Sequence, residues 1–130
     1  MNPIRILAVD IEVATLQMIQ NTFHNYSITT ETDFIKTLNI IEKNEFDIFL
    51  ISHQVPGIDG IEILDTVKQN HTYPNVRIVC LPIETVHIFN EELLSGVFNL
   101  FLEKPYEIQD LKEIMKMAVQ ELEKMRGAKE

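Results

Sequence analysis

The chain has 130 residues, 45% hydrophobic and 24% charged, which fits one domain with a two-sided core. Its 20 acidic and 11 basic residues leave a formal net charge of −9, which argues against direct nucleic-acid binding, where clustered Lys and Arg must neutralise phosphates. No apolar stretch approaches the roughly 18–20 residues of a membrane span. The start, MNPIRILAVD, lacks a basic head before a signal core, so the expected location is the cytoplasm, with no membrane partner.

In chain order, two periodicities alternate. Ile4 to Val9 reads as a short apolar strand, and residues 12–24 place Val13, Leu16, Ile19 and Phe23 about one helical turn apart. Tyr26 to Thr30 is a second, β-rich strand. Thr32 or Asp33 can cap a helix whose Phe34, Leu38 and Ile41 share a face. Asp47 to Ile51 is the strongest strand, and Gly60 precedes a helix carrying Ile61, Leu64 and Val67. Pro74-Asn75 breaks the chain before a fourth strand, Val76 to Leu81, and a helix from about Glu84 to Ser95 stops near Gly96. Val97 to Leu102 is a fifth strand. Ile108, Leu111, Met115, Ala118 and Leu122 stripe a final helix, where residues 107–130 hold six acids and five bases.

Strands written as continuous apolar runs belong in a parallel sheet covered on both faces. Five βα units in series therefore predict a doubly wound α/β sandwich. The expected organisation is one domain over residues 1–126 with a tail at 127–130. Cys80 is the lone cysteine, so no intrachain disulfide forms, and a buried reduced thiol is expected. His24, His53, His71 and His87 show no metal-like spacing with Cys80 or one another.

The richest stretch is FDIFLISHQVPGIDG, residues 46–60, where the apolar run ends at Ser52 and enters a Pro-Gly loop. That puts Ser52 at the carboxyl end of a sheet strand, where open α/β folds build their sites. Two further features lie at the same edge: Asp10-Ile11-Glu12 after the first strand and Phe101-Leu102-Glu103-Lys104-Pro105-Tyr106 at the fifth.

Together these motifs resemble the receiver domain of two-component response regulators, over about residues 4–122. The resemblance implies a five-stranded flavodoxin-like (βα)5 fold with strand order 2-1-3-4-5. It also implies a phosphorylation pocket: an acceptor Asp four residues before Pro-Gly, two acids after the first strand that hold Mg²⁺, a Ser/Thr after the fourth strand and a Lys after the fifth. The chemistry is carboxylate attack on a phosphoryl donor, with a hard cation, an ammonium and a hydroxyl absorbing the charge.

Asp10 matches the first acid and Lys104 the lysine, in the family's usual Lys-Pro dipeptide, commonly cis. Ile11 stands at the direct metal ligand, Ser52 at the acceptor and Pro82 at the switch hydroxyl. Glu12 matches the common third acid, a metal ligand only if the loop rearranges. With Asp10 and Glu12 as the remaining weak candidates, Mg²⁺ is not expected as a cofactor. Lys104, deprived of its usual carboxylate, is expected to pair with Asp10.

The expected function is therefore an atypical receiver, not phosphorylated and not an enzyme, working by protein–protein contact in two-component phosphorelay signalling. Partners implied are a histidine kinase or an output domain, with a homodimer as a further option. The implied contact face is the fourth helix, fifth strand and fifth helix, around Ile88, Phe89, Phe98, Phe101 and Tyr106, with Phe101 at the aromatic switch position. The alternative is a small-ligand or anion sensor using the vacated pocket near Asp10, Ser52, Pro82 and Lys104. A flavin-binding reading fails because Asp10-Ile11-Glu12 would repel phosphate.

Overall fold

The side chains of successive strand residues point to opposite faces of a sheet, and here both faces are apolar. In the computed structural model, residues 4–52, 54–55, 58–59, 66–67, 75–82 and 99–127 are described. Five strands, β1 (Arg5–Val9), β2 (Ser27–Glu31), β3 (Ile48–Ser52), β4 (Val76–Pro82) and β5 (Asn99–Lys104), form one sheet in the order β2-β1-β3-β4-β5. Every pairing is parallel. Three helices are described: α1 (Val13–Thr22), α2 (Phe34–Lys43) and α3 (Ile108–Gly127). The chain thus has the flavodoxin-like order 2-1-3-4-5.

Register determines which residues meet. Ile6 pairs with Ile48, which pairs with Val76; Ala8, Leu50 and Ile78 repeat this two residues on. These residues, with Cys80 and Leu102, form one core layer against Leu16 and Ile19 of α1 and Leu111, Met115, Ala118 and Leu122 of α3. The intervening residues Leu7, Val9, Phe49, Ile51 and Val79 form the other layer, against Ile41 of α2, Phe46 and Val67. Phe46 and Phe49 meet edge-on at 5.8 Å between ring centroids. Truncating the fully buried Phe49 to Ala would remove about 3–5 kcal/mol.

Local chemistry accounts for most element limits. Asp33 caps α2, its carboxylate accepting from the Lys36 backbone N–H at 2.9 Å. Inside that helix the buried Thr37 satisfies its hydroxyl on the Asp33 carbonyl at 2.7 Å. Val13, read from the sequence as part of the apolar stripe of α1, is 58% exposed, because the packed face of α1 begins only at Leu16. The fifth strand runs two residues beyond its expected end, since Glu103 and Lys104 still pair with Leu81 and Pro82 of β4. The last helix includes Gly127. Thr66 and Val67 are helical, while the rest of the helix expected after Gly60 and that expected over residues 84–95 lie outside the described residues.

At the amino-terminal edge of the sheet, Asp47 gathers four chain segments. Its carboxylate accepts from the Arg5 backbone N–H at 2.8 Å, from Arg5 Nε and Nη2 at 3.3 Å each, and from Arg126 Nη2 at the end of α3. Its carbonyl accepts from the Val76 N–H at 3.0 Å. Burial alone would raise the Asp47 pKa, but hydrogen bonds from Arg5 and Arg126 outweigh it and hold the carboxyl below its ordinary 3.8. A depressed carboxyl stabilises the fold fully above its unfolded value and loses that contribution as pH falls through the folded value. Asp47→Asn should therefore lower the unfolding free energy by about 2–3 kcal/mol at pH 7. It should also flatten the loss of stability below about pH 4, as read from urea titrations at several pH values.

Candidate functional site

The carboxyl edge of the sheet brings together residues from three strands. Ala8, Leu50 and Leu102 face the α1/α3 core layer, so the residues two further on, Asp10, Ser52 and Lys104, continue that parity at the strand ends. Asp10 is 2% exposed and Ser52 1%. The Asp10 backbone N–H donates to the Glu31 carbonyl at 3.3 Å, holding it beside β2. Its Oδ1 accepts from the Glu12 N–H at 3.1 Å, tying the carboxylate to the start of α1.

Lys104 joins these groups. Its Nζ donates to Asp10 Oδ2 at 3.0 Å and to Ser52 Oγ at 2.8 Å. The ion pair is largely excluded from solvent, with 18% of the lysine side chain and 3% of the aspartate exposed. An isolated carboxylate at that depth would be strongly disfavoured, and the ammonium offsets that desolvation. The expected Lys104–Asp10 pair is present, and the Lys104–Pro105 bond is cis. Ser52 as a second partner of the ammonium was not anticipated; the signal lay in strand parity, which puts positions 52 and 104 on one face.

The neighbouring thiol of Cys80 and hydroxyl of Tyr106 are both covered. Burial pushes the Cys80 thiol up to about 12, the positive Lys104 opposing and the negative Asp10 adding to the shift, so Cys80 stays protonated and a poor nucleophile. Burial also raises the Tyr106 phenol, with Cys80, Asp10 and Glu12 adding to it. The Tyr106 hydroxyl is buried without a hydrogen-bond partner among the described residues, and its ring packs on the α1/α3 layer. Tyr106 thus turns inward instead of offering its hydroxyl at a surface.

Ile11 is 47% exposed and has no oxygen to offer. Glu12 sits at the N-cap of α1, its carboxylate within 3.5 Å of Thr15 Oγ1. Pro82 is the last residue of β4, paired with Lys104. Phe101 lies within β5, its side chain outside the description, and Phe98, Ile88 and Phe89 lie outside the described residues. Among the described residues no group of three His, Cys, Asp or Glu side chains could hold a metal ion. A Mg²⁺ here would find both Asp10 oxygens engaged and an ammonium 3.0 Å from one of them. This donor set does not fit the cation.

A family model of the response regulator receiver domain matches residues 6–116. The chain belongs to the response regulator receiver family. Among receiver relatives, the regulatory protein VanR of Enterococcus faecium is 27% identical over 128 residues, 97% of this chain and 54% of VanR. Sporulation initiation phosphotransferase F of Bacillus subtilis is 25% identical over 115 residues, 86% of this chain and 90% of that protein. The chain spans about half of VanR and a smaller share of longer relatives. A CheY-like response regulator receiver domain protein from Methanospirillum hungatei JF-1 superposes with a TM-score of 0.76 at 25% identity, covering 95% of this chain and 98% of that one.

The receiver's sheet also contains a charged group that the motifs did not mark. Arg5, Asp47 and Arg126 lie 42 and 79 positions apart, and no local pattern connects them.

Two measurements test the geometry. A double-mutant cycle of Lys104→Ala and Asp10→Ala should show a coupling of about 1–3 kcal/mol in denaturant unfolding, not additivity. Tyr106→Phe should leave stability unchanged or raise it by up to about 1 kcal/mol, because it removes a buried hydroxyl without a partner.

Proposed function

We propose that this receiver domain signals without phosphorylation, as a contact module whose site is filled by its own residues. The observation that carries the proposal is the Lys104 ammonium, engaged by both Asp10 and Ser52. In the receiver pocket that the resemblance implies, the ammonium helps absorb the charge of a phosphoryl group carried on an acceptor carboxylate. Here the strand-end residue is a serine. Its hydroxyl cannot form an acyl phosphate, and its Oγ lone pair accepts from a cation rather than facing a base. Ile11 supplies no metal ligand, and Pro82 has neither a hydroxyl nor an N–H for a phosphate oxygen.

A domain with this site would contribute a fixed surface to a two-component pathway, engaging a kinase or output protein by shape and charge. Loss of the acceptor, metal-ligand and switch-hydroxyl side chains together, with the lysine and the framing loop kept, supports this reading better than a single substitution would.

A second reading draws on the cleft of about 400 Å³ beside Lys104, lined also by Glu12, Thr15, Met18, Pro105 and Tyr106. A small anion or metabolite bound there would raise the melting temperature by mass action, and a panel scanned by thermal shift would reveal it.

The primary reading is tested by intact-mass analysis after incubation with a small-molecule phosphodonor and Mg²⁺. No phosphoryl adduct is expected on the natural chain. The Ile11→Asp/Ser52→Asp variant, which restores both carboxylates, should gain a Mg²⁺-dependent one. An adduct on the natural chain would overturn the proposal.

A further inference from the structure

The sheet ends on β2, at the edge opposite β5, and no strand lies beyond it among the described residues. Its register with β1 is regular from Ser27 to Glu31, and it has no Pro or Lys to blunt the edge. The Ser27 N–H donates to the Ile4 carbonyl at 2.9 Å, and the Glu31 carbonyl accepts from the Asp10 N–H at 3.3 Å. Ser27, Thr29 and Glu31 therefore turn their backbone groups to β1. By the alternation of a parallel ladder, Ile28 and Thr30 turn theirs to the open side.

A cleft follows this edge on the α2 face. Two hollows of about 310 and 330 Å³ share Ile40 and Asn44, the first over Ser27 and Thr29, the second running from Glu31 along Lys36 and Lys43. Lys36, Ile40 and Lys43 stand at i, i+4 and i+7 of α2, so they form one stripe of the helix. The other charges of the cleft are engaged. Arg5 is paired with Asp47 and Glu45, and the Glu31 carboxylate accepts from the Thr32 and Asp33 N–H groups at 2.9 and 3.0 Å. Lys36 and Lys43 are exposed and form no ion pair among the described residues.

We infer that an extended acidic segment of a partner protein adds to the sheet as a strand beside β2. Its backbone pairs with Ile28 and Thr30, and alternate side chains reach α2: an apolar one on Ile40, flanked by carboxylates on Lys36 and Lys43. The inference rests on the contact role proposed above and gives it a surface and a partner chemistry. Length fits the pattern: Lys36 and Lys43 are about 10 Å apart along the helix, and acids four positions apart in a strand span about 13 Å, within reach of two flexible lysines. Charge selects the occupant. A second copy pairing its own β2 about a two-fold axis would bring the two lysine stripes together. It would also offer only one acid, Glu31, among the three residues on that face.

The test titrates the full chain with a labelled nine-residue peptide, centred on Glu-Thr-Leu-Thr-Glu with Thr and Val elsewhere; its counterpart has Lys for each Glu. The acidic peptide should bind at least roughly tenfold more tightly, and Lys36→Glu/Lys43→Glu should weaken it roughly tenfold. Lys116→Glu, on the exposed side of α3, should change it less than about twofold. N-methylation of one alternate set of peptide amides should abolish binding and of the other set largely spare it, which reads strand addition itself. Thr30→Pro, at an outward N–H where an edge strand tolerates proline, should also abolish it. Equal binding of the two peptides would overturn the inference. So would equal effects of the two N-methylated sets, or sedimentation showing a dimer that Thr30→Pro dissolves. Repeating the titration after phosphodonor treatment separates the two proposals. Unchanged affinity is expected, whereas a phosphorylation-dependent gain would defeat the contact role proposed above and leave the strand addition at β2 standing.

Discussion

One ammonium group organises the carboxyl edge of this receiver. Lys104 Nζ lies within hydrogen-bonding distance of Asp10 and Ser52, and so links the ends of β1, β3 and β5. Without it, Asp10 would be a buried charge with only a backbone N–H for support. The lysine itself, mostly covered, has a carboxylate within 3.0 Å as a counterion. Under the proposed reading, an ammonium already neutralised by Asp10 leaves this edge to act as a static contact.

The opposite edge repeats the logic with the signs exchanged. There a buried carboxylate, Asp47, is surrounded by guanidinium donors from β1 and from the end of α3. Arg126 fastens the last turn of α3 to the sheet, while Leu111, Met115 and Leu122 fasten its length. The two ionic groups lie at opposite ends of the same strands, with the apolar layers between them. This helix is therefore held along its whole span, which favours a surface presented in one arrangement.

Much of this was legible in the sequence because the fold writes itself in local patterns. Unbroken apolar strands such as Ile48-Phe49-Leu50-Ile51 signal a sheet covered on both faces. The residues at strand ends follow from where those runs stop, so Asp10, Ser52 and Lys104 could be nominated together. The finer geometry was less accessible. Val13 carries an apolar side chain at helical spacing, yet α1 has not reached the core at that point. Tyr106 reads as a candidate surface aromatic, but the turn after Lys104 folds its ring onto the α1/α3 layer. The Asp47 cluster depends on three residues distant in sequence, and a charged residue next to a strand carries no mark of its partners.

Divalent-cation binding by the unmodified chain tests the central claim most directly, because a receiver built for phosphoryl chemistry must hold Mg²⁺ at the site Lys104 now neutralises. Melting curves recorded over a Mg²⁺ series at constant ionic strength should superimpose. A saturable rise in melting temperature that Asp10→Asn abolishes would show a cation displacing the ammonium from Asp10, and would contradict the account.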